Sequence, residues 1–193
     1  FLIACRTSAI ALFQNFMFLD APYNQNEKWN AIDPKRYRYE LATMGCRTRV
    51  YENVAGEKTS LGRGYLSFTT MNKPRLAIEA RIKAESMEES GKKEAIERTA
   101  KELFIQSVHQ TAELIAEQLY SRYQYQRTAL ARQFPFMMGN DVWKGGGKLA
   151  PNDQVGDVLR QGTLGIGFIG GHNAMMALYG ESHGHSRKAW DTL

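Results

Sequence analysis

The stretch MGCRTRVYENVAGEKTSLGRGYLSFTTMN, Met44 to Asn72, alternates apolar and polar residues and is punctuated at Gly45, Gly56, Gly62 and Gly64. Glycine tolerates the turn conformations that other residues resist, so the pattern reads as strand, excursion, strand. Tyr65 to Met71 is the clearer strand, because Phe68, Thr69 and Thr70 favour a pleated backbone. Asn72 and Pro74 then read as a helix start, with Pro just inside the first turn, and Arg75 to Glu88 has helical composition.

Downstream, Ser90-Gly91 is a break. Beyond it Ile96, Ala100, Leu103, Phe104, Val108, Ala112, Ile115, Leu119 and Tyr123 recur at three- and four-residue steps with Glu and Lys between them. The spacing predicts one amphipathic helix over about 92–129, roughly 57 Å long at 1.5 Å per residue. Such a helix asks for a larger scaffold or a partner along its stripe. FPFMMGNDVWKGGGKL reads as irregular, and Asn152 as the N-cap of a short helix, Asp153 to Gln161, closed by Gly162. GTLGIGFIGG is a glycine-rich strand and turn, followed by a helix over His172 to Tyr179 and another from Ser186 to Leu193. Upstream, Phe1 to Leu19 is apolar, with NFMFLD (Asn15 to Asp20) read as a short buried strand ending near Pro22. Tyr23 to Arg38 reads as an ordered surface loop.

Composition bounds the function. The 193 residues suffice for a real core, and 43% hydrophobic with 23% charged residues excludes a disordered chain. Phe1 to Leu19 is interrupted by Arg6, Thr7, Ser8, Gln14 and Asn15, so neither a membrane span nor a signal peptide is expected. The expected location is the cytoplasm. A net charge of +5 favours anionic partners such as nucleotides without demanding them, and a solvated basic surface accounts for it equally. Cys5 and Cys46 have no metal-ligand spacing between them, so no metal site is expected and each reads as a thiol.

Several motifs compete with simpler explanations. Gly165-Ile166-Gly167-Phe168-Ile169-Gly170 satisfies GxGxxG, yet the second strand ending in an acidic residue that a dinucleotide fold needs does not follow. What survives is a helix N-terminus able to present backbone N–H groups to a phosphate, which makes Thr163, Gly170 and Gly171 candidate binding residues. His183 and His185, with His172 nearby, read as surface or capping histidines, and the Glu and Lys residues of 92–117 as a solvated helix face. Tyr120, Tyr123 and Tyr125, with Arg122 and Arg127, read as packing at the end of the long helix. Cys46 is different. Gly45 leaves the backbone open beside its sulfur, and Arg47 and Arg49 would lower the thiol pKa if they faced it. Spacing leaves nucleophile, redox thiol and radical carrier all open.

NFMFLDAPYN, MGCRTRVYENVAGEKTSLGRGYLSFTTMNKPRLAIEA, FPFMMGNDVW and GTLGIGFIGG, taken in order, resemble the anaerobic (class III) ribonucleoside-triphosphate reductases, which are glycyl radical enzymes. The resemblance covers nearly all of the chain. It implies an α/β fold, a partial segment of a ten-stranded barrel whose interior is crossed by a finger loop, here about 43–65, with Cys46 at its tip. In the family a glycyl radical oxidises this cysteine to a thiyl. The thiyl takes the 3′ hydrogen of a ribonucleotide, the 2′ hydroxyl leaves as water, and hydrogen returns to C3′. Sulfur suits the task because the S–H and ribose C–H bonds are similar in strength. The sequence departs from the family at Tyr65, where asparagine is usual near the substrate hydroxyls, and Cys5 does not occupy the place of the second active-site cysteine.

The expectation is therefore a central piece of a reductase that makes 2′-deoxyribonucleoside triphosphates, with residues 1–193 inside its barrel domain and inactive alone. Cys46 is the expected catalytic residue, and Gly45, Tyr65, Thr163, Gly170 and Gly171 the expected substrate-binding residues. The glycyl radical, the ATP or dNTP effector site and a structural zinc are expected in other parts of the parent enzyme, with none bound by this piece. A ribonucleoside triphosphate substrate, a radical-SAM activating enzyme and a homodimeric parent are implied, and neither nucleic acid nor membrane. The alternative is a non-catalytic helical module that binds a nucleotide or a protein through its long helix.

Overall fold

The computed structural model describes residues 1–11, 16–45, 48–88 and 91–193. Among them the elements are α1 (Leu2–Ala11), β1 (Ala42–Met44), β2 (Thr48–Val50), β3 (Tyr65–Asn72), α2 (Lys73–Met87), α3 (Lys93–Arg127), α4 (Pro135–Gly139), β4 (Thr163–Ile169), α5 (Gly171–Tyr179) and α6 (Arg187–Thr192). Helix and strand are mixed, as in α/β proteins. No helix among the described residues is long and apolar enough to cross a membrane. The chain divides into two compact units, Phe1–Leu66 with Tyr125–Thr163, and Ser67–Gln124 with Leu164–Leu193.

In the second unit, strand leads into helix twice. β3 runs directly into α2 because Asn72 ends the strand and caps the helix, its Oδ1 accepting from Arg75 N at 3.3 Å. β4 runs into α5 through Gly170, whose φ of +71° is the left-handed turn glycine permits. β3 pairs with β4. Thr163 N donates to Gly64 O at 2.7 Å, and further along Gly167 lies against Thr70, so the two strands run parallel. α2 packs against α5 on small residues: Ala77, Ala80 and Ala84 face Ala174, Met175 and Leu178, with Ala100 and Phe104 of α3 and Ala189 of α6 completing one core. A second cluster joins Met71 to Ile115 and Leu119. Much of the α3 stripe is thus covered by the chain's own elements. α3, 35 residues, extends about 52 Å.

In the first unit, β1 and β2 form an antiparallel hairpin with Ala42 opposite Val50, Thr43 opposite Arg49 and Met44 opposite Thr48. Three sequence expectations are corrected. Residues 16–20 form no strand and are exposed, with Asn15 outside the described residues. Phe18 O is taken by Asn24 Nδ2 at 2.7 Å and by Ala21 N at 3.3 Å, so local turn bonds displace strand pairing. The helix expected at Asp153–Gln161 is a 3-10 turn over Gly156–Gln161, entered from Val155 instead of Asn152, and Gly162 closes it with an extended backbone, not a left-handed one. FPFMMGNDVW is less irregular than expected, because Pro135 starts the short helix α4.

Candidate functional site

The hairpin carries the sequence block that holds Cys46. Because Met44 pairs with Thr48, residues 45–47 connect its two strands. Gly45 takes a φ of +61°, is exposed, and among the described residues has nothing within 4 Å of where a Cβ would stand. Cys46 and Arg47 lie outside the described residues.

The base of the hairpin is built around Arg49. Its Nε donates to Asn24 Oδ1 at 2.7 Å, and its Nη2 to Tyr23 O at 2.7 Å and to Glu52 Oε1 at 2.8 Å; Nη1 completes a bidentate pair with Glu52 Oε2. The guanidinium lies between the rings of Tyr23 and Tyr51, 5.7 and 5.5 Å from their centroids. The hydrogen bond from Arg49 holds the Glu52 carboxyl below the usual range, and the same bond raises Arg49. The sequence reading offered Arg49 as a cation for the cysteine, but the structure spends its fork on Glu52, Asn24 and Tyr23. Tyr51 is buried, donates its hydroxyl to Tyr39 O at 2.9 Å and takes Lys58 Nζ over its ring at 4.6 Å.

Two clefts flank this base. One, of about 560 Å³, is lined by aromatic Trp29 and Tyr39, the amides of Asn24, Gln25 and Asn26, and the carboxylates of Asp20 and Glu40. The other, of about 710 Å³, shares Gln25 and Asn26 and carries Lys28, Lys58, Glu27 and Glu57. Lys28 is paired with Glu57 at 3.2 Å and Lys58 donates to Gln25 O at 3.1 Å, so neither cleft presents an uncommitted positive lining to a polyphosphate.

Tyr65 opens β3 and Thr163 opens β4, and the bond from Thr163 N to Gly64 O brings these two residues together. That bond uses the Thr163 amide for sheet pairing. In the second unit Gly170 and Gly171 start α5 with no side-chain cap. A Cβ on Gly170 would meet Pro74 Cγ, and one on Gly171 would come within 2.5 Å of Leu193 Cδ1. Lys73, which sequence reasoning passed over, is buried beside this turn, with Nζ 4.1 Å from the Phe168 ring centroid and 3.2 Å from Leu193 O; burial lowers its pKa. Gly165 and Gly167 lie inside β4 instead of in a turn, so the dinucleotide fingerprint has no structural counterpart here. His172 and His183 meet edge to face with ring centroids 5.7 Å apart, and among the described residues no group of three or more His, Cys, Asp or Glu could hold a metal ion. The solvated face expected over 92–117 has one exception, Glu97, which is buried against Lys188 Nζ at 2.7 Å.

Parallel βα units with a braced hairpin define an α/β protein whose distinctive part is the hairpin connection. Residues 1–193 match the family model of anaerobic ribonucleoside-triphosphate reductase, and the chain belongs to that family. It is 28% identical over 144 residues to the anaerobic ribonucleoside-triphosphate reductase of Salmonella typhimurium, an alignment covering 72% of this chain and 18% of that protein. The chain therefore spans less than a fifth of the length of this curated relative.

Proposed function

We propose that this chain is the part of an anaerobic ribonucleoside-triphosphate reductase that carries the hydrogen-abstracting cysteine, Cys46, and some of the substrate pocket. The observation that supports this most directly is the pairing of Met44 with Thr48, which makes Gly45, Cys46 and Arg47 the connection of a hairpin whose base is clamped by Arg49. A reactive sulfur has to be positioned for its substrate, and the strands on either side of Cys46 in the chain are paired and clamped at their base. The longer protein's glycyl radical, on a segment outside this chain, supplies the oxidising power that removes hydrogen from the Cys46 thiol. Cys46 then takes the 3′ hydrogen of a ribonucleoside triphosphate, the 2′ hydroxyl leaves as water once protonated, an external reductant (formate or a dithiol redox protein) supplies two electrons with a proton going to C2′, and Cys46 returns hydrogen to C3′, which regenerates its thiyl.

In this reading the two βα units are part of a ten-stranded α/β barrel, and about 43–65 is its finger loop. Gly45 gives the substrate room beside the sulfur. Tyr65 supplies a phenol toward the sugar hydroxyls, and Thr163 opens the neighbouring strand. The uncapped N–H groups at Gly170 and Gly171 favour a phosphate, since a helix N-terminus carries partial positive charge. A radical-SAM activating enzyme and a homodimeric parent belong to the same reading, as do an effector nucleotide and a structural zinc held by other parts of the protein.

The test is replacement of Cys46 by Ala and by Ser in the full-length reductase, activated anaerobically. The expected result is an undiminished glycyl radical signal by electron paramagnetic resonance with no deoxynucleotide formed. Turnover by either variant overturns the assignment.

A further inference from the structure

The segment Gly62-Arg63-Gly64 and the block GNDVWKGGGK are far apart in sequence, and neither is explained by the chemistry of Cys46. In the first unit they meet. Arg63 donates from Nη1 to Glu52 O at 2.8 Å and to Thr59 O at 3.4 Å, and from Nε to Gln161 O. These partners are three backbone carbonyls: one just past β2, one in the excursion between the hairpin and β3, and one just before β4. A guanidinium can serve three such acceptors because its donors are fixed in a planar fork, which an ammonium lacks. Burial lowers the pKa of Arg63, consistent with a charge placed where carbonyl dipoles replace water.

The two flanking glycines make room for the second block. Gly62, at φ of +67°, lies against Lys144, where a Cβ would come 2.6 Å from Lys144 Cβ, and Gly64 lies so close to the Trp143 ring that no side chain fits. The 141–147 loop is itself held rigid. Asp141 takes a φ of +51°, and its Oδ1 accepts from Gly145 N at 2.8 Å and Gly147 N at 3.0 Å. Gln161, whose carbonyl binds Arg63, also donates its side-chain amide to Lys144 O at 3.3 Å. A non-glycine residue at positive φ persists only where its surroundings over-determine it.

We infer that Arg63 is a positioning residue: backed by the 141–147 loop, it fixes the segment by which the hairpin returns to β3 and so holds the hairpin strands β1 and β2 in place. The inference rests on the proposed role of the hairpin in the reductase. It is tested in the full-length reductase by Arg63→Ala and Arg63→Lys, reading amide hydrogen exchange and turnover together. Arg63→Ala is expected to speed exchange across residues 48–62 by about tenfold or more, with α2 and α5 unchanged. It is expected to lower kcat by a similar factor with KM and the glycyl radical signal retained. Arg63→Lys, with one charge but no fork, is expected to fall between. Unchanged exchange over 48–62, an equal rise throughout the protein, or a rise in KM at constant kcat each overturns the inference. Should Arg63→Ala not fold, Arg63→Lys alone decides by the same readouts. Cys46→Ala keeps the two claims separable, since turnover by that variant refutes the cysteine assignment while leaving the exchange result for Arg63 to stand or fall alone.

Discussion

Arg49 and Glu52 close a bidentate ion pair just beyond the end of β2, with Arg49 Nη2 2.8 Å from Glu52 Oε1, and that pair joins the hairpin to Tyr23 and Asn24 of the preceding loop. The hydrogen bond from Arg49 lowers the Glu52 pKa, so the stabilisation it gives is present above the ordinary carboxylate value. It is lost as pH falls through the depressed folded value. Wild-type protein is expected to hold its hairpin amide protection at mildly acidic pH and to lose it only once pH falls below the ordinary carboxylate range. Glu52→Gln should remove that acid step while weakening the hairpin at neutral pH. Exchange rates of residues 48–52 across an acid series measure both; an acid step that persists in Glu52→Gln contradicts the assignment.

Gly45 and Gly170 both take positive φ, but only one is sterically enclosed. Gly45→Ala meets no atom among the described residues, so its cost is conformational, about 1 kcal/mol. Gly170→Ala adds a collision with the Pro74 ring and is expected to cost at least about twice as much. Urea denaturation of the two variants side by side gives the order, and equal losses would mean that Pro74 yields freely.

The α2 and α5 interface depends on alanine. Ala84 and Ala174 are fully buried, so Ala174→Leu forces the helices apart and is expected to destabilise by about 1–3 kcal/mol. Leu178→Ala, opening a void in the same core, should cost about 2–5 kcal/mol. Thermal or urea unfolding reads each value. A neutral Ala174→Leu would show that α5 has space this packing denies it.

Glu97 is the buried carboxylate of α3, and Lys188 of α6 reaches it at 2.7 Å while Lys93 stays at 3.8 Å. Lys188 also stands 4.6 Å from the centroid of the Tyr179 ring. Lys188→Ala leaves Glu97 poorly compensated and is expected to cost about 1–2 kcal/mol, at the lower end because Lys188 is partly exposed. Adding Glu97→Leu should recover part of that loss, and additive losses in the double-mutant cycle would deny the coupling. The bond from Glu97 raises the Lys188 pKa, so this contribution is complete below the ordinary lysine value and fades as pH rises through the raised one.

How far the sequence was legible depends on the range of the forces involved. The apolar period of α3, the Asn72 cap on α2 and the glycine before α5 are local signals, and each stands where its residues placed it. NFMFLD misled because an apolar run does not reveal whether a partner strand is present, and Asn24 offered its backbone a nearer bond. Arg49 was legible only in part. Its charge was visible, but the direction of its fork depends on Asn24 and Tyr23, more than twenty residues upstream. Arg63 left a signal in its two flanking glycines, yet nothing nearby names Trp143, Lys144 or Gln161 as the neighbours those glycines admit.

The sequence by itself determined the mixed helix and strand, the blocks that match the reductase family over 1–193, and Cys46 as the residue to test. These follow from local propensity, hydrophobic period and motif. Only the tertiary structure decided that β3 and β4 are parallel neighbours, that the hairpin is clamped by Arg49 and Glu52, and that GRG is seated against the 141–147 loop. Those arrangements rest on directional hydrogen bonds and close contacts between distant segments. A chain shows which groups can make such contacts, and folding alone selects which of them meet.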